Sequence, residues 1–384
     1  MKKFYNSLFF LCFSIVINAQ TSSFNITYTG ITPEAQASFQ FAAGVWSNTL
    51  VSSVPIKVLV HFQPLLSSML GITFPNGKKN FSGAPVSDTW YNTALANAIS
   101  STELNPGEVD IEIYLNSTAN WYYDSTGTVP TGKYDFSTVA IHELGHGLGF
   151  ISLAKKSGTS GSLGMLLASD FAPLTTSFPW PALDTFPSVF DHFLVTNTNQ
   201  RIDSFPNPSV ALGSKFTSNT IYFNGANAVT ANAGIRPRIY APGSFALGSS
   251  LTHLNESSYP VGNVNELMTP NGSPAHANHN PGPICIGVLK DIGWNMNPVL
   301  GINETADQEN TFSIFPNPSQ GNISFSSSIP NEKIKSIELK NMLGEKVCSL
   351  ENNSTADIST LSRGIYFIII TTTDFRAVQK FIKE

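Results

Sequence analysis

His142-Glu143-Leu144-Gly145-His146 is the stretch whose residue types and spacing can do chemistry. Two histidines four apart lie one above the other on a helix, so both imidazoles can face one metal ion. A glutamate beside them can reach a water held at that ion. Zinc lowers the pKa of such a water, and the carboxylate can take its proton. The neighbours suit a helix over about Phe136 to Gly147. Asp135 or Ser137 can cap it, and Val139, Ile141, Leu144 and Leu148 give it an apolar back. A five-residue match also arises by chance, so this helical context carries the reading. The expected chemistry is metal-assisted hydrolysis of peptide bonds, with zinc as cofactor, His142 and His146 as ligands and Glu143 as general base.

Two histidines leave a catalytic zinc one protein ligand short. In the thermolysin-like pattern that ligand is a glutamate on a following helix, but the first glutamate after His146 is Glu256. Asp170 is a second choice, and its surroundings (ALASDFAPL) hold no further motif. The metzincin pattern breaks the helix at a glycine three residues after the second histidine. Gly149 is in place, yet the short form of the motif would put a histidine where Ser152 stands. The sequence resembles the leishmanolysin family of metzincins, in which a long insertion separates that glycine from the third histidine and a Met-turn follows. The matching stretches are HELGHGLGF, Ser250-Leu251-Thr252-His253-Leu254 and Glu266-Leu267-Met268-Thr269-Pro270. The resemblance implies a zinc endopeptidase acting on proteins or peptides. It implies His253 as third ligand and Met268 as a packed, non-ligating floor. It spans about residues 24 to 298, but departs from the family in having one cysteine, Cys285, where leishmanolysins carry many disulfides. His276 and His279 remain alternative ligands, and His61 and His192 read as structural.

The elements that must position these residues suggest an α+β catalytic domain over 20–300: a twisted sheet, an active-site helix and a large loop-rich insertion. Phe24 to Tyr28, Pro55 to Phe62 and Val109 to Leu115 read as strands, the last as an edge along which a substrate could pair. Thr32 to Leu50 and Ile284 to Trp294 read as helices. Residues 152–250 are dense in Gly, Ser, Pro, Asn and Thr and read as the insertion. Residues 301–311 read as a linker, and 312–384 as a small β-sandwich with strands near 323–325, 334–339, 346–349 and 365–371.

Lys2, Lys3, the apolar run Leu8 to Val16 and Ala19 form a signal peptide, 1–19, too short to anchor the chain in a bilayer. Cys12 lies inside that run after the bulky Leu11, against lipidation. The C-terminal segment resembles the sorting domain of type IX secretion, on Phe315-Pro316-Asn317-Pro318-Ser319, Leu343-Gly344-Glu345 and Leu361-Ser362-Arg363-Gly364-Ile365-Tyr366. That resemblance implies the outer-membrane secretion machinery as a partner and an extracellular address. The 384 residues are 41% hydrophobic and 12% charged, with a net charge of −5 and no basic run. Disorder and nucleic-acid binding are thereby disfavoured, and no segment is expected to span a membrane. A contrasting reading is a surface adhesion protein whose zinc is only structural or vestigial.

Overall fold

The computed structural model describes residues 21–125, 127–174, 184–297, 312–327, 330–341, 345–352, 354–372 and 376–384. The expected signal peptide and linker, and the Leu343-Gly344 turn, lie outside the described residues. The chain divides into two compact units, 1–298 and 299–384.

The first unit mixes helices and strands. Thr32 opens helix α1 (Pro33–Thr49) by accepting from the Ala35 amide, and Pro33 fills the first turn, where no amide hydrogen is needed. Ala35, Phe39, Ala42 and Trp46 form its buried face, and the Trp46 indole donates to the Ile141 carbonyl at 2.9 Å. Four strands make the main sheet, in the order Phe24–Thr29, Ile56–Gln63, Ile111–Asn116, Gly71–Pro75. The first three run parallel and the last antiparallel. Ile56, Val58, Val60 and Phe62 alternate inward, each contributing about 1.5–3 kcal/mol of burial.

One expectation is corrected here. The strand at 111–116 is not an edge: it is paired on both sides and buried along its whole length. Its outward Glu112 tolerates burial because it accepts from the Tyr114 hydroxyl and bonds His61 Nε2, both at 2.9 Å. The two edges are Phe24–Thr29 and Gly71–Pro75, and the second is the one that lines the cleft described below.

Helix α2 (Thr93–Ser100) follows Asn92, whose side-chain amide donates to the Gly147 carbonyl at 3.2 Å and so satisfies the end of α3 (Phe136–Gly147). The insertion is more than loops. It holds a hairpin (Ala154–Ser157 with Ser160–Leu163), helices α4 (Val210–Lys215) and α5 (Ala226–Ala231), and a three-stranded sheet of Leu194–Thr196, Ile221–Phe223 and Arg238–Ile239. Leu163, Phe190, Phe216 and Phe223 are buried in the same apolar core as α1 and α3. Buried Asp191 clamps the insertion's root, accepting from Ser152 Oγ, the Leu153 amide and both Ser188 donors. Helix α6 (Pro283–Ile292) closes the unit, and Trp294 after it donates to the Leu148 carbonyl at 2.7 Å.

Among its described residues the second unit is built of strands, apart from one 3-10 turn, Asn331–Lys333. A three-stranded sheet (Phe312–Phe315, Asn322–Ser327, Thr355–Asp357) and a four-stranded one (Lys346–Ser349, Ile334–Asn341, Gly364–Thr372, Arg376–Lys383) share one core. Ile314 and Ile323 come from the first sheet, and Ile337, Leu339, Ile368 and Phe381 from the second. Cys285 and Cys348 lie in different units and are both free.

Candidate metal centre

Asp135 starts the motif helix by accepting from the Thr138 amide and hydroxyl at 2.6 and 2.7 Å. The spacing of four then stacks His142 over His146. After Gly147 the helix stops, and Gly149 adopts φ +122°, a conformation L side chains rarely take. This turn brings the Phe150 carbonyl back to His146 Nδ1 at 2.8 Å. An added Cβ at Gly149 would also meet Ile292 Cδ1 at 2.6 Å, so α6 leaves no room for one.

His253 arrives from the far end of the insertion. Its carbonyl accepts from the Tyr240 amide, and Leu254 bridges Ile239, so the short strand Arg238–Ile239 carries it into place. His253 Nδ1 then faces the Ser249 carbonyl at 2.9 Å, and His142 Nδ1 faces the Leu267 carbonyl at 2.6 Å. A carbonyl only accepts, so each of the three Nδ1 atoms carries the hydrogen and each neutral Nε2 carries a lone pair.

Those three Nε2 atoms converge, 3.0 Å apart for His142 and His146, 3.1 Å for His146 and His253, and 3.2 Å for His253 and His142. Three lone pairs facing one another, with no donor among them, need a positive charge at their centre. Protons serve poorly: burial and mutual repulsion hold His146 well below its usual pKa, burial lowers His142, and burial first and the His142 charge second take His253 down to about 3. Tetrahedral zinc with nitrogens about 2.0–2.1 Å away spaces them roughly 3.3 Å apart, close to what is seen. The donor set therefore fits zinc. Among the described residues these three histidines form the cluster able to hold a metal, with no fourth His, Cys, Asp or Glu in it.

Glu143 lies beside them, buried. Burial pushes its carboxyl up to about 7, opposed by the Thr73 hydroxyl, which donates to Oε2 at 2.6 Å. Met268 is fully buried under the helix, and an added Cβ at Gly145 would lie 2.8 Å from its sulfur. The alternative ligands are engaged elsewhere. His276 bonds Glu266 at 2.5 Å, His279 bonds Asp135 at 2.8 Å and Asp170 pairs with Lys155 at 2.7 Å. His192 pairs with Asp203, and His61 with Glu112.

The three clustered histidines and Glu143 open on a cleft of about 510 Å³, walled by 67–75 on one side and by Ser249, Thr252, Glu266 and His276 on another. The sequence did not point to Thr73 or Gly71. A Cβ at Gly71 would meet Glu143 Oε1 at 2.6 Å, so this glycine lets the edge strand approach the carboxylate. Ile72-Thr73-Phe74 was the available strand signal, three residues between a glycine and a proline.

Two family models match the chain. One, described as SPBPB7E8-like, covers 97–169, the stretch with α3 but without His253 or Met268. No curated protein matches. Among the described residues no helix is long and apolar enough to cross a membrane. The other model, described as a secretion system C-terminal sorting domain, covers 313–384, so this segment is a type IX sorting domain that sends the chain to the cell surface or the medium.

Proposed function

We propose that the first unit is a metzincin-like zinc endopeptidase working outside the cell. The observation that carries this is the convergence of three individually anchored Nε2 atoms, from half-buried His142 and buried His146 and His253, beside a buried glutamate in an open cleft. A zinc ion held there would polarise a scissile carbonyl and make a water more acidic. The chain's own groups do the rest. The carbonyls of Leu267, Phe150 and Ser249 hold the three rings in the tautomer that presents Nε2. Glu143 accepts the proton of the attacking water and passes it to the leaving amine nitrogen. Its carboxyl, raised by burial, suits both transfers near neutral pH. Thr73 fixes one oxygen so that the other can face the cleft. The substrate backbone pairs along the free edge of Gly71–Pro75, in place of the strand at 111–116.

A purely structural zinc normally has four protein ligands, and the cluster here has three among the described residues. That favours catalysis over adhesion. The test is Glu143→Gln, which keeps the histidine ligands: zinc content stays near one per chain and casein hydrolysis falls at least about a hundredfold. Near-normal hydrolysis by this variant rejects the mechanism.

A further inference from the structure

His276 is the histidine of this cleft that joins no metal cluster, and its setting is built rather than incidental. Its Nε2 bonds Glu266 Oε1 at 2.5 Å, and Glu266 is buried, its other oxygen accepting from the Gly262 amide at 2.5 Å. Glu266 begins the 3-10 turn Glu266–Met268, the same turn whose Leu267 carbonyl anchors His142 and whose Met268 underlies α3. From the other side, the Asn278 amide donates to Thr138 Oγ1 at 2.8 Å, and His279 bonds Asp135. Thr138 lies four residues before His142 on α3, about 6 Å along the axis. The segment 276–279 is thus pinned between the start of the motif helix and the turn beneath the ligands. The His276 side chain keeps 31% exposure and lines the cleft wall. With Nε2 given to Glu266, Nδ1 is the ring's remaining polar atom.

We propose that His276 contacts the substrate: its Nδ1 hydrogen-bonds the peptide group next to the scissile bond, and Glu266 is the positioning residue that fixes the ring. This rests on the proteolytic reading above and adds a second polar group to the cleft. A peptide offers both a donor N–H and an acceptor carbonyl, so an imidazole in either protonation state has a partner there.

The experiment compares full-length wild type, His276→Ala, His276→Asn and Glu266→Gln on three readouts: zinc content, kcat/KM on a fluorogenic peptide, and the Kd of the metal-free protein for the same peptide. Loss of one hydrogen bond to the ligand corresponds to about a threefold to tenfold weaker Kd, and more if charge develops on the partner. His276→Ala should keep zinc, weaken Kd within that range and lose about tenfold to a hundredfold in kcat/KM. His276→Asn should recover part of the loss, and Glu266→Gln should fall between. Wild-type cleavage matched within twofold by His276→Ala overturns this inference alone. Zinc loss in His276→Ala overturns it too, by making the residue a ligand. Zinc-loaded wild type that cleaves no peptide overturns the proteolytic reading and this inference with it.

Discussion

Thr73→Val should move the acid limb of the activity profile upward while leaving zinc in place. The Thr73 hydroxyl donates to Glu143 Oε2 at 2.6 Å, and both side chains are buried. It is the hydrogen bond that lowers this carboxyl against the desolvation that raises it to about 7. A hydrogen bond to a buried charged group contributes on the order of 1.5–3 kcal/mol. At 1.36 kcal/mol per pKa unit, its removal raises the carboxyl by about 1–2 units. Valine has nearly the same shape as threonine, so no cavity opens and the strand keeps its register. A cation at the histidines pulls the carboxyl down in both proteins, so the predicted quantity is the displacement between the two profiles. The assay is kcat/KM for one peptide from pH 5 to 9 on each protein, with zinc measured on the same samples. The acid limb of the variant should lie about 1–2 units higher, so that activity below it is roughly tenfold to a hundredfold less than wild type. Superimposable profiles would show that Glu143 is not the base whose deprotonation limits the reaction.

Two further outcomes follow from packing and burial. A Cβ added at Gly147 meets Ile111 Cγ2 at 2.5 Å and Cδ1 at 2.7 Å inside the core, so Gly147→Ala should lose about 1–3 kcal/mol to overpacking, less up to ~1 kcal/mol of helix propensity. Combined with Ile111→Ala it should cost less than the sum of the two single changes by about 1–2 kcal/mol in urea unfolding; additive energies would deny the close approach of α3 to the sheet. Burial raises the Asp110 carboxyl to about 6, from 3.8, against the pull of the Lys57 amide. The folded state therefore binds this proton more tightly than the unfolded state, and stability falls as pH rises from about 4 to 6, by on the order of 2–3 kcal/mol. Asp110→Asn should remove that slope from the thermal unfolding midpoint, whereas parallel curves for the two proteins would refute the assignment.

The parts of the fold legible in the sequence were the long, self-consistent ones. Helix α1 carried its cap, its N-terminal proline and an apolar face together, and the 56–63 strand alternated cleanly. The strand at 111–116 is legible as a strand, but its place inside the sheet is not. Its polar Glu112 suggests a wet face, yet His61 and Tyr114 satisfy that carboxylate under cover. The edge strand beside the cleft, Gly71–Pro75, is too short and too interrupted to announce itself. The insertion looked like loops because its buried aromatics, such as Phe190, Phe216 and Phe223, follow no period and pack through tertiary contacts.

The site divides in the same way. His142, Glu143 and His146 are set by local helix geometry and could be read from spacing. His253 is brought in over 107 positions by the pairing of its segment with Arg238–Ile239, which no local pattern encodes, and resemblance alone pointed to it. Thr73 lies in no motif, and Glu266 stands in the sequence only as the first residue of the stretch that holds Met268. His276 was visible only as a spare histidine until its bond to Glu266 gave it a setting.

The most direct test of a zinc endopeptidase is metal content with casein hydrolysis on the mature wild type, His253→Ala and Glu143→Gln. The account predicts about one zinc per chain and cleavage in wild type, loss of both in His253→Ala, and loss of cleavage alone in Glu143→Gln. A His253→Ala protein that keeps both its zinc and its activity would contradict it.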